Sequence, residues 1–194
     1  MQLKRFFTTS AYKNTYKYID TQKKYEVIRT LAYFGVSLSL FIAGYAATKT
    51  KTNLLTVAAV LGCLPASKSL VSAIMFCRFH SCSEKVYDAV REVSEALDHL
   101  YDLVFTTEKV TYVVAHAAYN AKCLVLYAEK KLDTAGLEAH IQEYMKRACI
   151  SGVKVKVYTD LNKYTERLIQ LSVLDKENGK LSQEVTQLLK EITL

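Results

Sequence analysis

The sequence predicts a membrane protein in which a two-helix transmembrane hairpin is followed by a small α+β domain, a mixed sheet with helices. Residues 30–48 form a stretch of nineteen residues without a charge, and residues 53–67 form another of fifteen. Beyond residue 80, apolar runs typical of strands alternate with segments whose apolar residues recur every three or four positions. Three segments are expected: a basic juxtamembrane segment at 1–26, the transmembrane hairpin at 27–79 and a cytoplasmic domain at 80–194.

Each half of the hairpin is tested against the length of a membrane span. A helix needs roughly 20 apolar residues to cross a hydrocarbon core of about 30 Å, and residues 27–48 meet that length. The second apolar stretch is interrupted at Pro65 and Lys68. The part from Leu54 to Leu64 would cover only about 17 Å, so the predicted second span runs from residue 54 to residue 77 and includes both interrupting residues.

Pro65 and Lys68 are the intramembrane functional candidates, and two interpretations of them stay open. In one, the long stem of Lys68 carries its ammonium to the headgroups and Pro65 only adjusts the tilt of the helix. In the other, Lys68 faces a polar seam that forms an ion or substrate path in an oligomer. Small residues in both spans indicate close contact between helices: Gly35, Ser37, Ser39, Ala43, Gly44, Ala58, Ala59, Gly62 and Ser67.

The distribution of charge predicts the orientation and the partners. Residues 1–77 carry ten basic and two acidic groups, a balance of +8, whereas residues 78–194 carry sixteen and seventeen, a balance of −1. Because basic residues mark the cytoplasmic side of a span, we expect both termini to be cytoplasmic, in the cell membrane. The partners expected are the lipid bilayer and either another protein or a second copy of this chain; the bulk charge of the domain gives nucleic acid no support.

The domain is predicted to contain helices and strands in the order helix, strand, strand, helix, strand, helix, helix. The first helix is predicted from an apolar stripe that runs from Val86 to Val104. Two strands joined by a turn at Tyr119-Asn120 come next. The strands and later helices are predicted at 109–117, 122–128, 133–148 (helix), 153–157, 161–173 (helix) and 181–192 (helix).

A cluster of soft ligands, Cys77, His80 and Cys82, follows the second span. Such residues could hold zinc, but a closed structural site needs a fourth ligand, and the neighbouring sequence supplies none. Cysteines next to a membrane are also sites of acylation, and plain interfacial residues are the third interpretation. The five cysteines contain no CxxC pair and indicate reduced thiols. We therefore expect no metal and no cofactor.

A second weak pattern lies at the end of a predicted strand. Glu129 and Lys131, with Asp102 or Glu108 upstream, resemble the site of metal-dependent nucleases of the restriction-endonuclease type. The resemblance implies that the carboxylates hold a metal ion and that the lysine steadies the attacking water or the phosphate. The sequence departs from the pattern because the first predicted hairpin has no aspartate and the predicted strands are too few.

These observations favour a non-enzymatic, membrane-anchored interaction or scaffold protein. No serine lies in a GxSxG turn, and no glycine-rich loop precedes a predicted helix. One alternative is an oligomeric pore or transport accessory that uses Lys68 and Pro65. A further alternative is a membrane-tethered, nuclease-like, metal-dependent enzyme built on Glu129.

Overall fold

The computed structural model describes residues 13–50, 53–107, 110–130, 132–174 and 179–194. They fall into a helical hairpin, Ile19–His80, and an α/β domain formed by Ser81–Leu194 together with residues 13–18. The elements are α1 Tyr18–Thr48, α2 Leu54–Cys77, α3 Glu84–Ser94, β1 Asp98–Thr106, β2 Thr111–Asn120, β3 Cys123–Tyr127, α4 Thr134–Arg147, β4 Lys154–Tyr158, α5 Leu161–Ser172 and α6 Gly179–Ile192.

Both helices of the hairpin are long and apolar enough to cross a membrane. α1 has 31 residues and α2 has 24. Only 17% of the most apolar window of each helix is buried, whereas a core helix of a soluble protein would bury most of it. α1 begins at Tyr18, so part of the segment predicted as juxtamembrane is helical.

The two helices of the hairpin meet along a face of small residues. The buried residues of α2 recur at spacings of seven, three and four, which places them on one stripe. A Cβ atom added at Gly62 would lie 2.6 Å from the Ser37 hydroxyl, so this glycine permits the close approach of the backbones. Gly44 is equally tight against Asn53, whereas Gly35 faces open space. The buried residues of α2 are Ala59, Ala66, Ser69 and Ala73.

The α/β domain is built on a four-stranded mixed sheet in the order β1-β2-β3-β4. β1, β2 and β3 are antiparallel neighbours, and α4 provides the crossover that brings β4 parallel to β3. Two apolar clusters form the core, one on each face of the sheet. α4 and α6 contribute to the first cluster, and α3 and α5 contribute to the second.

The prediction of one helix from Val86 to Val104 is wrong. α3 ends at Ser94, and β1 begins at Asp98. β1 is buried on both faces, so its apolar residues do not alternate with polar ones. A strand of this kind has the same apolar content as a buried helix, and periodicity cannot separate the two. The sheet therefore has one strand more than predicted.

The predicted turn at Tyr119-Asn120 is also wrong, because both residues belong to β2. The turn is formed by Ala121 and Lys122, whose φ angles are +49° and +57°. Two left-handed central residues are the geometry of a type I′ hairpin turn, usually formed with glycine. The Asn120 side chain holds this turn: its oxygen accepts from the Ala121 N–H at 2.9 Å, and its amide donates to the Leu171 carbonyl at 2.8 Å.

The other predicted elements of the α/β domain are confirmed, and none of their ends is shifted by more than three residues. Local capping explains two of the helix starts. Asp133 accepts a hydrogen bond from the Gly136 N–H before α4, and Asp160 accepts one from the Asn162 N–H before α5. α4 ends at Arg147 and is followed by a left-handed Cys149 with φ +58°, after which the chain turns into β4.

Candidate functional site

The structure brings Asp102 and Glu129 to the segment that precedes α3. Asp102 lies in β1, and its carboxylate accepts a hydrogen bond from the Cys82 N–H at 2.6 Å. Glu129 lies two residues beyond the end of β3, and its carboxylate accepts from the Ser83 N–H at 2.8 Å. One carboxylate from β1 and one from the segment after β3 therefore bind consecutive backbone amides.

This arrangement has a clear structural role. Ser83 is the N-cap of α3, but its side chain makes no capping hydrogen bond. A carboxylate near a helix N-terminus is favoured by the helix dipole, and hydrogen bonds to an ionised acceptor are stronger than neutral ones. Asp102 is also buried and has a left-handed φ of +54°. The carboxylates thus fasten the start of α3 to the sheet.

The structure bears on the two features in which the sequence departs from the nuclease pattern, the number of strands and the lack of an aspartate in the first hairpin. The sheet has four strands, and Asp102 lies within the hairpin formed by β1 and β2. The sheet thus has one strand more than predicted, and the hairpin that this strand adds before the predicted one contains an aspartate. Glu108 and Lys131, the other members of the proposed set, lie outside the described residues.

The Cys82 thiol lies beside these carboxylates. Burial, together with the negative charges of Asp102 and Glu129, raises the pKa of Cys82 to about 12. At neutral pH this thiol is protonated, whereas a metal ligand or a nucleophile would be a thiolate.

The residues of the predicted zinc cluster belong to both units. Cys77 is the exposed last residue of α2, and His80 follows it in the hairpin, whereas Cys82 is buried in the domain. Within the described ranges, no group of three or more His, Cys, Asp or Glu side chains is placed to hold a metal ion.

A buried histidine in the sheet was not singled out by the sequence. His116 of β2 is 0% exposed, and its Nδ1 forms a hydrogen bond with the Tyr164 hydroxyl at 2.7 Å. Burial, together with a smaller contribution from the charge of His99, lowers the pKa of His116 to about 3. Burial also raises the pKa of Tyr164 well above its ordinary value. Both groups are therefore neutral at pH 7, and both lie inside the core.

Pro65 and Lys68 lie on the exposed side of α2. Their neighbour Ser69 faces α1 instead, where the Thr30 hydroxyl donates to it at 3.0 Å. Ser69 in turn donates to the Glu26 carboxylate at 3.4 Å, and Arg29 pairs with Glu26 at 3.0 Å. Lys68 therefore lies within one helical turn of the level of Thr30, the residue at which the charged part of α1 ends and its uncharged stretch begins.

Comparison with known proteins adds no family. No family model matches the sequence, and no curated protein or solved structure matches the chain. Function is therefore inferred from the fold and from the side chains described above.

Proposed function

We propose that this protein is a membrane-anchored, non-enzymatic interaction protein: the hairpin spans a membrane and the α/β domain lies on its cytoplasmic side. The proposal rests on one observation: the chain segment before α1 leads into the hairpin, yet it packs as part of the α/β domain. The Tyr101 N–H donates to the Asn14 carbonyl at 3.0 Å, and Asn14 donates to the Thr193 hydroxyl at 3.0 Å. The ring of Tyr16 stacks on that of Tyr87 with centroids 3.8 Å apart.

These contacts between the segment before α1 and the α/β domain support an even number of membrane crossings by the hairpin. The chain enters the hairpin from the domain at Tyr18 and returns to the domain at Ser81. Two apolar helices between these points cross and return as a pair. The basic residues before the uncharged stretch of α1 favour the cytoplasmic side for the domain.

The polar contacts within the hairpin support a headgroup position for Lys68. Glu26, Thr30 and Ser69 form the polar end of the interface between α1 and α2. Lys68 lies at this end, and its long side chain reaches the headgroups from there. This favours the tilt-and-snorkel interpretation over an ion path.

We expect the hairpin tip and the domain to react from opposite sides of a membrane. In a cysteine-free variant, Lys49→Cys is labelled by an impermeant maleimide from the outside of intact cells, and Lys180→Cys is labelled only after lysis. The protein remains in the membrane pellet after extraction at high pH. Labelling of both cysteines from one side, or release of the protein into the supernatant, would contradict the anchor.

The second candidate function, a nuclease-like enzyme, is favoured by the convergence of Asp102 and Glu129. Against it, both carboxylates already bind backbone amides. We expect the purified full-length protein not to cleave DNA or RNA in Mg²⁺ or Mn²⁺. Cleavage that is abolished by Glu129→Ala and retained by Glu143→Ala, which alters an exposed carboxylate of α4, would establish the enzyme instead.

A further inference from the structure

The two edges of the sheet differ in how they are covered. Along β1, the Leu194 N–H donates to the Val104 carbonyl at 3.1 Å, and Thr193 pairs with Phe105. Asn14 covers the same edge at Tyr101. β4 forms the other edge, and its outer side faces a groove between α4 and α5.

The backbone of β4 offers hydrogen-bonding groups to that groove. The Lys154 N–H donates to the Lys122 carbonyl, and the Tyr158 carbonyl accepts from Ala128, so even-numbered residues bond to β3. In a parallel ladder the alternate residues then face outward. The Glu138 carboxylate accepts from the Val157 N–H at 2.8 Å. In the described part of the chain, the Val155 N–H has no such partner.

The groove has a volume of about 640 Å³ and an excess of positive charge. Lys154, Lys156 and Arg167 line it together with a single carboxylate, Glu138. Glu138 lies 3.5 Å from the Lys156 ammonium. Arg167 donates to the side-chain oxygen of Gln170 at 2.8 Å and to the Cys123 sulfur at 3.6 Å, and neither acceptor is a carboxylate. The excess of positive charge is local to the groove, because residues 78–194 as a whole carry a charge balance of −1.

We propose that the β4 edge binds an extended acidic segment of a partner protein, which adds a strand to the sheet beside Val155. The inference rests on the proposed interaction function and names the partner chemistry. Strand addition takes affinity from main-chain hydrogen bonds and specificity from alternate side chains. Lys154 and Lys156 lie on one face of the strand. Acidic residues two positions apart on the added strand complement them.

The charges argue against a second copy of this chain as the occupant. If two β4 strands paired edge to edge in an antiparallel register, the lysines of one copy would face those of the other. Like charges directly opposite one another destabilise a strand pair. Lysines on an exposed edge also limit unspecific pairing of this kind.

A peptide titration tests the charge complementarity. The probe is a fluorescent ten-residue peptide of alternating threonine and glutamate, added to the full-length protein in detergent and followed by anisotropy. We expect binding that weakens with salt. The double variant Lys154→Glu/Lys156→Glu should lose roughly tenfold or more in affinity. The control Lys146→Glu/Lys180→Glu, which makes the same charge change on α4 and α6 outside the groove, should bind as the wild type does, and an equal loss there would overturn the site.

N-methylated peptides test the added strand without altering the protein. In an extended peptide, the amides of the threonines face one side and those of the glutamates face the other. Methylation of one set should abolish binding, and methylation of the other set should leave it intact. Loss with both sets, or with neither, would overturn strand addition.

The remaining outcomes also decide the proposal. A single-stranded oligonucleotide that competes with the peptide and binds more tightly would overturn the acidic-peptide assignment. A dimer abolished by Val155→Pro, which removes the outward-facing N–H of β4 and leaves the hydrogen bonds to β3 intact, would assign the edge to a second copy. Failure of peptide binding in a protein that passes the cysteine-labelling test overturns the groove alone, and failure of that labelling test with intact peptide binding overturns the anchor alone.

Discussion

Acidification from pH 7 to pH 4 is expected to lower the free energy of unfolding of the α/β domain by about 3 kcal/mol through His116 alone. The pKa of this histidine falls from 6.5 to about 3 in the folded chain. Between these values the unfolded chain binds a proton that the folded chain does not. Stability is therefore full above pH 6.5 and is lost as the pH falls towards 3.

Urea titrations of the full-length protein in detergent at pH 7, 5.5 and 4, followed by circular dichroism, measure this loss. The His116→Gln variant keeps a hydrogen-bonding side chain for Tyr164 but does not titrate, so its stability should depend less on pH. At pH 7 the His116→Gln variant is expected to be less stable than the wild type. His140→Gln, which removes a histidine of α4 outside the core, should keep the acid decline. Equal slopes for His116→Gln and the wild type would contradict the assignment.

Replacement of Asp102 by alanine is expected to lower the free energy of unfolding by about 3 kcal/mol. The hydrogen bond from the Cys82 N–H to an ionised, buried carboxylate is lost, at a cost of about 1.5–3 kcal/mol. Alanine must also adopt the left-handed φ of +54°, which costs roughly 1–2 kcal/mol. The urea midpoint, at an unchanged denaturant slope, measures the sum.

Two further variants at this position separate the causes. Asp102→Gly removes the carboxylate without backbone strain, so it should be more stable than the alanine variant. Asp102→Asn keeps an acceptor and tolerates the left-handed region, so it should lose only about 1 kcal/mol. If alanine and glycine were equally destabilising, the backbone part of the explanation would fail. If asparagine were as destabilising as alanine, charge rather than hydrogen-bond geometry would account for the effect.

The elements that were predicted well each have one exposed face, so their buried apolar residues and exposed polar residues recur in a regular pattern. β4 alternates buried valines with exposed lysines, and α4 has a single apolar stripe, so each pattern has one interpretation. β1 lacks an exposed face, and its spacing continued the stripe of α3. The hairpin turn was misplaced because its left-handed residues are Ala121 and Lys122, which carry no sequence signal for that conformation.

The candidate site was only partly predictable, because its geometry depends on contacts between distant residues. Asp102 and Glu129 were recognisable as acidic groups near apolar runs, but their common target, the amides before α3, is a property of the folded chain. His116 resembled three other scattered histidines until the sheet placed it against Tyr164. The sequence could not show that β4 is the open edge of the sheet, because the residues that cover the other edge, β1, are distant from it in the chain.

The fastening of residues 13–18 to the domain constrains the order of events during biosynthesis. The Lys13 ammonium donates to the carbonyls of Lys190 and Thr193, which are 177 and 180 positions away. Such distant contacts form late, because a long loop must close before they are made. The hairpin emerges from the ribosome far earlier than these contacts can form. On the proposed function, the hairpin therefore enters the bilayer before the edge of the sheet at β1 is covered, and the domain is completed after insertion.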